Sequence, residues 1–241
     1  MKTSKVENLD LPNGFLLSKK FEIVGQLGRG WEGEVYFIRE VSTGIERAAK
    51  IFYPQRNINN VAAKFYARKL HKLRNCSILI KYLFQDQIRF RGHNLTYLIS
   101  DYVEGETLEN FLKRQKGHRL HPFQAVHLLH VLASGIEEIH RLKEYHGDLH
   151  TGNIILQRYG LTFHVKLVDL FHMGKATPTN IKYDVCDLIR VFYECIGGNK
   201  YYQKQPIAVK EICCGLKNSL ILKKFKTAGQ LKAYLENMEW E

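Results

Sequence analysis

Eight consecutive residues, His146 to Asn153, constrain the fold of this chain more than any other segment. They read His-Gly-Asp-Leu-His-Thr-Gly-Asn and pass directly into the apolar run Ile154-Ile155-Leu156, which predicts a loop that enters a strand. From such a loop, Asp148 could accept the proton of a hydroxyl group, and the side-chain oxygen of Asn153 could face a phosphate-bound Mg²⁺. The motif predicts a phosphoryl-transfer site, provided that its partners occur at the right places along the chain.

The first part of the chain predicts strands on both sides of a glycine-rich turn. Phe21–Leu27 and Val35–Ile38 have strand character and flank the sequence Gly28-Arg29-Gly30-Trp31-Glu32-Gly33. In such a hairpin flap, backbone N–H groups can approach phosphate oxygens because glycine has no Cβ atom in the way. A third strand, Ala48–Phe52, carries Lys50, whose ammonium group could bind the α- and β-phosphates of a nucleotide.

Helical patterns dominate the rest of the chain. They predict helices over Asn57–Arg74, Thr107–Lys116, Pro122–Leu142 and Val185–Ile196 and from Thr227 onward, with strands near Ile78–Phe84, Tyr97–Tyr102, Ile154–Gln157 and Phe163–Val168. The sequence therefore predicts an α+β fold. We expect one domain over residues 1–241, with a lead-in at 1–18, a β-rich N-lobe with one helix at about 19–103, and a reduced helical C-lobe at about 104–241.

Taken together, these motifs resemble the protein-kinase-like superfamily from about Phe21 to Ile196. The resemblance implies a bilobal fold that binds ATP and Mg²⁺ between its lobes. The residues that would bind the nucleotide are Gly28, Gly30, Gly33 and Val35 in the flap, Lys50 at the phosphates, Asp101 and Val103 at the adenine edge, and Glu106 at the ribose. It also implies that Asp148 is the catalytic aspartate and that Asn153 and Asp169 bind the metal.

The loop around Asp148 is similar to that of aminoglycoside and choline phosphotransferases and of small atypical bacterial serine/threonine kinases. Typical protein kinases carry Arg at the position of Gly147, where it receives an activation-loop phosphate, so the resemblance implies no such switch here. Only fourteen residues separate Asp169 from Asp184, which leaves no room for a standard peptide-docking segment. His150 lies where protein kinases carry a Lys that stabilises the transferred phosphate, and an imidazolium could take that role.

The resemblance breaks at the first predicted helix, which contains no Asp or Glu. In protein kinases, a Glu from this helix holds the phosphate-binding lysine. By position, that Glu would fall near Tyr66. Three explanations stay open: another acid, such as Glu32, Glu34 or Asp169, holds Lys50; phosphate alone positions it; or catalysis is impaired.

The charge distribution points to an anionic partner. The net charge is +12 at pH 7, no acid occurs between Arg47 and Gln85, and a second basic cluster lies at residues 217–226. Such surfaces attract acidic proteins and other anions, and the aromatic platform of a nucleic-acid binder is missing beyond Phe65 and Tyr66. The sequence has no transmembrane run, no secretory signal pattern and no metal-binding spacing among its five cysteines, which predicts a cytoplasmic protein.

Three functions fit these observations. The first is an atypical serine/threonine protein kinase that phosphorylates an acidic protein or itself. The second is a small-molecule kinase with an anionic acceptor, such as a sugar acid of a lipid-linked glycan, because a lysine-rich C-lobe would repel a cation. The third is a pseudokinase scaffold that binds nucleotide without turnover. The sequence favours the first and leaves the acceptor, the regulation and the oligomeric state open.

Overall fold

The computed structural model describes residues 6–160, 162–171 and 174–239, and they form two compact units. The first unit contains the described residues up to Asn75 together with Ile80–Val103. The second contains Cys76–Leu79 and the described residues from Glu104 onward. A sheet with one α-helix makes up the first unit and helices dominate the second, which confirms the predicted α+β class.

The first unit is built on a six-stranded antiparallel sheet in the order β1-β2-β3-β4-β6-β5. Its elements are β1 (Leu16–Leu17), β2 (Phe21–Arg29), β3 (Gly33–Glu40), β4 (Glu46–Phe52), α1 (Val61–Lys72), β5 (Tyr82–Phe90) and β6 (His93–Asp101). The helix begins later than the predicted Asn57 because Ile58–Asn60 form a 3-10 turn, in which Asn59 and Asn60 have φ angles of 53° and 60°. Asn tolerates this left-handed conformation better than most residues.

The segment predicted as a lead-in is part of the core of this unit over its described residues. Leu9, Leu11 and Leu17 are 1%, 5% and 0% exposed and pack in one cluster with residues of the sheet such as Ile23 and Tyr36. The sequence did not indicate this burial, because apolar and polar residues in this segment follow neither a helix nor a strand period.

The second unit combines a small sheet with helices. Its elements are β7 (Glu106–Thr107), α2 (Leu108–Arg114), α3 (Pro122–Arg141), β8 (Ile154–Tyr159), β9 (Thr162–Leu167), α4 (Pro178–Cys195), α5 (Gly198–Tyr202), α6 (Ile207–Cys213), α7 (Asn218–Lys224) and α8 (Ala228–Glu236). The long helix α3 packs against α4 and α8. No helix in the described ranges is long and apolar enough to cross a membrane.

Two sequence predictions need correction. The strand predicted near Ile78–Phe84 begins only at Tyr82, because Ile78 and Leu79 are buried in the second unit. There, the backbone N–H of Leu167 donates to the carbonyl oxygen of Ile78 at 2.7 Å. A short apolar run has the same appearance in a strand and in any other buried segment. Helix α4 begins seven residues before the predicted Val185, after a capping box formed by Thr177 and Asn180. The prediction missed its first turns because they are polar.

Buried tyrosines in the first unit make its stability dependent on alkaline pH. The pKa of Tyr53 and of Tyr97 is raised to about 12, mainly by burial, and the charge of Glu34 contributes to the rise at Tyr53. Unfolded tyrosines ionise near pH 10. The stability from these hydroxyls is therefore complete below about pH 10, and we expect the free energy of unfolding to fall as the pH rises from about 10 to 12.

Urea unfolding at pH 8, 10, 11 and 12 measures this effect. Tyr53→Phe should make the decline above pH 10 less steep, whereas Tyr159→Phe, at a side chain that is 60% exposed, should leave it unchanged. An equal decline in the wild type and in Tyr53→Phe would contradict the assignment.

Candidate functional site

The predicted flap is the end of the β2–β3 hairpin. The N–H of Gly30 donates to the carbonyl oxygen of Gly33 at 2.9 Å and closes the turn. A Cβ atom on Gly33 would overlap the carbonyl oxygen of Ile51, so this glycine lets β3 approach β4. By contrast, a Cβ atom built on Gly28 or Gly30 would meet no atom of the described chain within 4 Å, apart from those of the adjacent residues. Space is therefore open beside the backbone of these two glycines.

Lys50 is held by an acid from the flap. It lies on β4 opposite Val35 of β3, and its Nζ atom lies 3.1 Å from Oε2 of Glu32. The two side chains are only 14% and 22% exposed, so water screens their attraction weakly. The Nζ atom also lies 4.6 Å from the ring centroid of Tyr66 on α1. At the position where the resemblance places a Glu, this chain therefore offers an aromatic face.

Glu34, the second acid of the flap, lies in a different environment. Its side chain is fully buried. The carboxylate accepts hydrogen bonds from the backbone N–H of Leu9 at 2.9 Å, from the hydroxyl groups of Tyr53 at 3.1 Å and of Tyr36, and from Nε2 of Gln26 at 3.2 Å. Burial, together with the hydrogen bond to Glu34, raises the pKa of Tyr36. This network links the N-terminal segment to β2 and β3 and gives Glu34 a structural role.

The residues predicted at the adenine edge lie at the end of β6. The N–H of Asp101 donates to the carbonyl oxygen of Lys81 at 3.1 Å, and its carboxylate binds Arg47 at 3.0 Å. The carbonyl oxygen of Asp101 has a long contact of 3.4 Å from the hydroxyl of Ser100. Val103 follows the strand in irregular backbone. These backbone groups lie at the end of a strand, where the edge of a ligand could form hydrogen bonds with them.

Glu106, the residue predicted at the ribose, begins β7 in the second unit. Both of its carboxylate oxygens bind the guanidinium of Arg114 on α2, with a distance of 3.1 Å between Nε and Oε2. Sequence reasoning missed this pair, because a spacing of eight residues across a strand and a helix has no periodic signature. A ribose hydroxyl at Glu106 would have to share the carboxylate with Arg114.

In the second unit, the Asp148 loop brings together the three polar residues predicted for catalysis and metal binding. The amide nitrogen of Asn153 donates to the backbone carbonyl of Asp148 at 2.9 Å and to its Oδ2 atom at 3.2 Å. The N–H of Val168 donates to the carbonyl of Asn153 at 3.0 Å, which fixes the residue before Asp169 to the loop. Asp169 has a φ angle of 54°, a strained value that is common at functional sites.

This donor set fits Mg²⁺. Because the amide nitrogen of Asn153 is directed at Asp148, its Oδ1 atom is the oxygen left for a cation. The carboxylate of Asp169 lies on the neighbouring segment, and carboxylate and amide oxygens are the protein ligands that Mg²⁺ prefers. Asn153 is 8% exposed, so its orientation is fixed by packing as well as by hydrogen bonds.

Helix α4 holds both ends of the loop. The fully buried carboxylate of Asp184 accepts the backbone N–H groups of His146 at 2.7 Å and Gly147 at 2.8 Å. At the other end, the hydroxyl of Thr151 donates to Oε2 of Glu194 at 3.0 Å. Sequence reasoning missed the Thr151–Glu194 bond, since the two residues are far apart along the chain and no spacing signals their contact.

The Thr151–Glu194 bond gives a test of how tightly the loop must be held. Thr151→Val keeps the shape of the side chain and removes one hydrogen bond, which contributes about 0.5–1.5 kcal/mol. We expect turnover to fall about threefold, with a change of about 1 kcal/mol or less in the free energy of unfolding. Steady-state kinetics and urea unfolding measure both. Thr43→Val, which removes a similar bond to Glu40 in the β3–β4 turn, is the control; an equal loss of turnover there would contradict the role.

Gly147 is fixed by the local backbone. Its φ angle is 82°, and a Cβ atom would lie 2.6 Å from the ring of Tyr145 and 2.8 Å from Cβ of Phe171. These contacts are too short for any side chain. Packing within the loop therefore explains why this position carries no side chain.

The hydrogen bonds of His150 define its tautomer. Its Nδ1 atom accepts the backbone N–H of Gly152 at 3.1 Å, which leaves the proton of a neutral ring on Nε2. Nε2 lies 3.9 Å from Oδ2 of Asp148. The ring of His150 therefore lies beside Asp148 in the loop.

Comparisons with known proteins relate this chain to protein kinases. The family model described as protein kinase domain matches residues 21–207. The serine/threonine-protein kinase PknA of Corynebacterium glutamicum is 24% identical over 164 residues, which are 67% of this chain and 34% of that protein. PrkC of Bacillus subtilis is 24% identical over 183 residues, or 75% of this chain and 27% of that protein. The chain thus spans about a third or less of the length of these curated relatives.

The fold has counterparts among solved structures. The crystal structure of the PknI kinase domain of Mycobacterium tuberculosis covers 94% of this chain, and the chain covers 98% of that domain, with a TM-score of 0.69 and 15% sequence identity. At this identity, the similarity concerns the fold alone.

Proposed function

The chain belongs to the protein kinase domain family, and from this premise we propose that it transfers the γ-phosphate of ATP to a hydroxyl group in a Mg²⁺-dependent reaction. The observation that carries the proposal is the joined catalytic loop, in which Asn153 bonds Asp148 directly and the segment of Asp169 through Val168. The two candidate metal ligands and the candidate base are thus held in one hydrogen-bonded group.

In this proposal, Asp148 orients the acceptor hydroxyl and takes its proton. The hydroxyl oxygen then bonds the γ-phosphorus as the bond between the γ-phosphorus and the ADP oxygen breaks. The Asp148 side chain is 59% exposed, so a substrate hydroxyl can reach it. Asn153 and Asp169 would hold Mg²⁺, which when bound neutralises charge on the phosphates. Lys50 and the N–H groups of the flap would bind the phosphate oxygens.

Glu32 takes the place of the missing helix Glu in this scheme. Its 3.1 Å contact with Lys50 provides the negative charge that holds the ammonium group, and the Tyr66 ring borders the same group at 4.6 Å. Because this acid is on the flap, the position of Lys50 depends on the position of the flap itself. This arrangement supports a working enzyme over the impaired one that a helix without acids suggests.

Glu32→Gln should lower kcat/KM for ATP about tenfold, which corresponds to about 1.4 kcal/mol, because the amide keeps the size of the side chain and removes the charge that holds Lys50. Steady-state kinetics with varied ATP measures the change. Glu40→Gln is the control, since Glu40 lies on the same hairpin and bonds Thr43. An unchanged or higher kcat/KM in Glu32→Gln would mean that Glu32 competes with phosphate for the lysine.

The charge of the surface supports an acidic protein as the acceptor. Helix α1 carries Lys64, Arg68 and Lys72 on its exposed side and contains no acid. These residues are spaced by four, so each neighbouring pair destabilises the helix by about 0.2–0.5 kcal/mol. Exposed Lys217, Lys223 and Lys226 add positive charge in the second unit. The similarity to PknA and PrkC, both named serine/threonine kinases, supports Ser or Thr as the acceptor side chain.

Label transfer from γ-labelled ATP tests this function. The acceptors are a serine peptide rich in Glu, the same peptide with every Glu replaced by Lys, and no peptide, so that autophosphorylation is scored separately. We expect the acidic peptide to be labelled at least about tenfold faster than the basic one. Equal rates would remove charge as the basis of selection. ATP binding without any label transfer would favour a small anionic acceptor or a pseudokinase.

A further inference from the structure

The N-terminal segment Val6–Leu17, here called the strap, is fastened to both strands of the flap hairpin. The N–H of Leu9 donates to Oε1 of Glu34 on β3 at 2.9 Å, and the N–H of Leu11 donates to the hydroxyl of Tyr36 at 3.1 Å. The side chains of Leu9 and Leu11 are buried in the sheet core. The strap is therefore a fixed part of the first unit.

A guanidinium group extends this attachment to the end of the flap. Arg29 is the last residue of β2 and stands opposite Glu34 in the register. One of its terminal nitrogens lies 2.5 Å from Oδ1 of Asp10 in the strap, and its Nε lies 3.2 Å from Oε1 of Glu34. Arg29 also separates Gly28 from Gly30, the two flap glycines that are open to solvent. The strap thus reaches the residue between them.

We propose that Asp10 and Arg29 are positioning residues for phosphate binding, because they hold the glycine-rich flap in its binding conformation. The inference rests on the proposed function, in which flap N–H groups bind phosphate. Glycine backbones have the most freedom to lose when a ligand orders them. Fixing the residue between two glycines reduces that loss before the nucleotide arrives, which improves affinity.

The solvent exposure of Asp10 and Arg29 distinguishes a role in positioning the flap from a role in stabilising the fold. The side chains of Arg29 and Asp10 are 41% and 55% exposed, and ion pairs with this exposure contribute little to global stability. Glu34, by contrast, is fully buried and accepts the backbone N–H of Leu9 in the strap. A change at Asp10 should therefore loosen the flap without unfolding the unit, because it leaves the contact between Arg29 and Glu34 in place.

The test uses Asp10→Asn and Arg29→Gln in the full chain. Asp10 has a φ angle of 45°, and Asn tolerates that conformation as Asp does, so the first variant changes only the charge. Three quantities are measured: amide hydrogen exchange of residues 28–33 without nucleotide, the Kd of the non-hydrolysable analogue AMP-PNP with Mg²⁺, and kcat at saturating ATP. Arg29→Lys, which keeps the charge, should recover part of any effect.

We expect flap exchange to become faster and Kd to rise, both about two- to fivefold, with kcat unchanged. The urea midpoint should be unchanged in Asp10→Asn, which leaves the contact between Arg29 and the buried Glu34 intact. The control pair Arg39→Gln and Glu46→Gln removes the 3.8 Å contact between β3 and β4 and should change none of these. Unchanged flap exchange, or faster exchange with an unchanged Kd, would overturn the proposal. If the wild type fails to bind AMP-PNP, the proposed function fails, and flap exchange still decides whether the strap holds the flap.

Discussion

Asp148→Asn should reduce turnover by about 10²-fold or more and leave the affinity for ATP nearly intact. The amide keeps an oxygen that can accept the hydrogen bond from Asn153, so the loop should retain its shape. It cannot take the proton of the acceptor hydroxyl, and general-base catalysis typically contributes about 10²- to 10⁴-fold. Because the Asp148 side chain is 59% exposed, its replacement should not destabilise the second unit.

Single-turnover label transfer and calorimetric titration with AMP-PNP separate chemistry from binding in this variant. Asp148→Ala serves as the second variant, and the two should lose turnover to a similar extent. Glu137→Gln is a matched control, because Glu137 is a carboxylate on α3 of the same unit that contacts Lys232 at 3.5 Å. Loss of nucleotide binding in Asp148→Asn would reassign the residue to the metal site. Unchanged turnover would remove it from catalysis.

The features that could be predicted from the sequence are those whose functional residues lie close together along the chain. One such feature is the loop from His146 to Asn153, whose local structure could be predicted because an apolar strand follows it directly. The glycine-rich turn could be interpreted because it joins two strands. In dinucleotide-binding folds, by contrast, such a turn joins a strand to a helix. Glycine spacing alone could not show that Gly33 is needed for packing against Ile51, whereas Gly28 and Gly30 border open space.

Contacts between residues far apart in sequence were not predictable in the same way. Glu32 was one of several acids that could hold Lys50, and the sequence could not show that Glu32 contacts Nζ of Lys50 whereas Glu34 is buried. Glu32 lies in the turn before β3, whereas Glu34 lies within the strand and is buried, where it accepts the backbone N–H of Leu9. The segment around Leu9 follows neither a helix nor a strand period, so the sequence did not indicate this contact.

That buried acid should be the most costly position to replace in the first unit. Glu34→Ala would leave the N–H of Leu9 and the hydroxyls of Tyr36 and Tyr53 without their carboxylate acceptor. Each buried group that loses its partner costs about 1–3 kcal/mol, so we expect the free energy of unfolding to fall by about 3 kcal/mol or more.

Urea unfolding followed by circular dichroism at pH 7 measures the effect of Glu34→Ala. Glu34→Gln should cost less, because one acceptor oxygen remains, while Glu40→Ala on the same strand should cost about 0.5 kcal/mol or less, since its bond to Thr43 is exposed. A loss below about 1 kcal/mol in Glu34→Ala would mean that water replaces the carboxylate and that the strap is held by its leucines alone. The expected larger loss would mean that one carboxylate fastens the strap to the hairpin carrying the phosphate-binding flap, which couples the stability of this unit to the geometry of its proposed site.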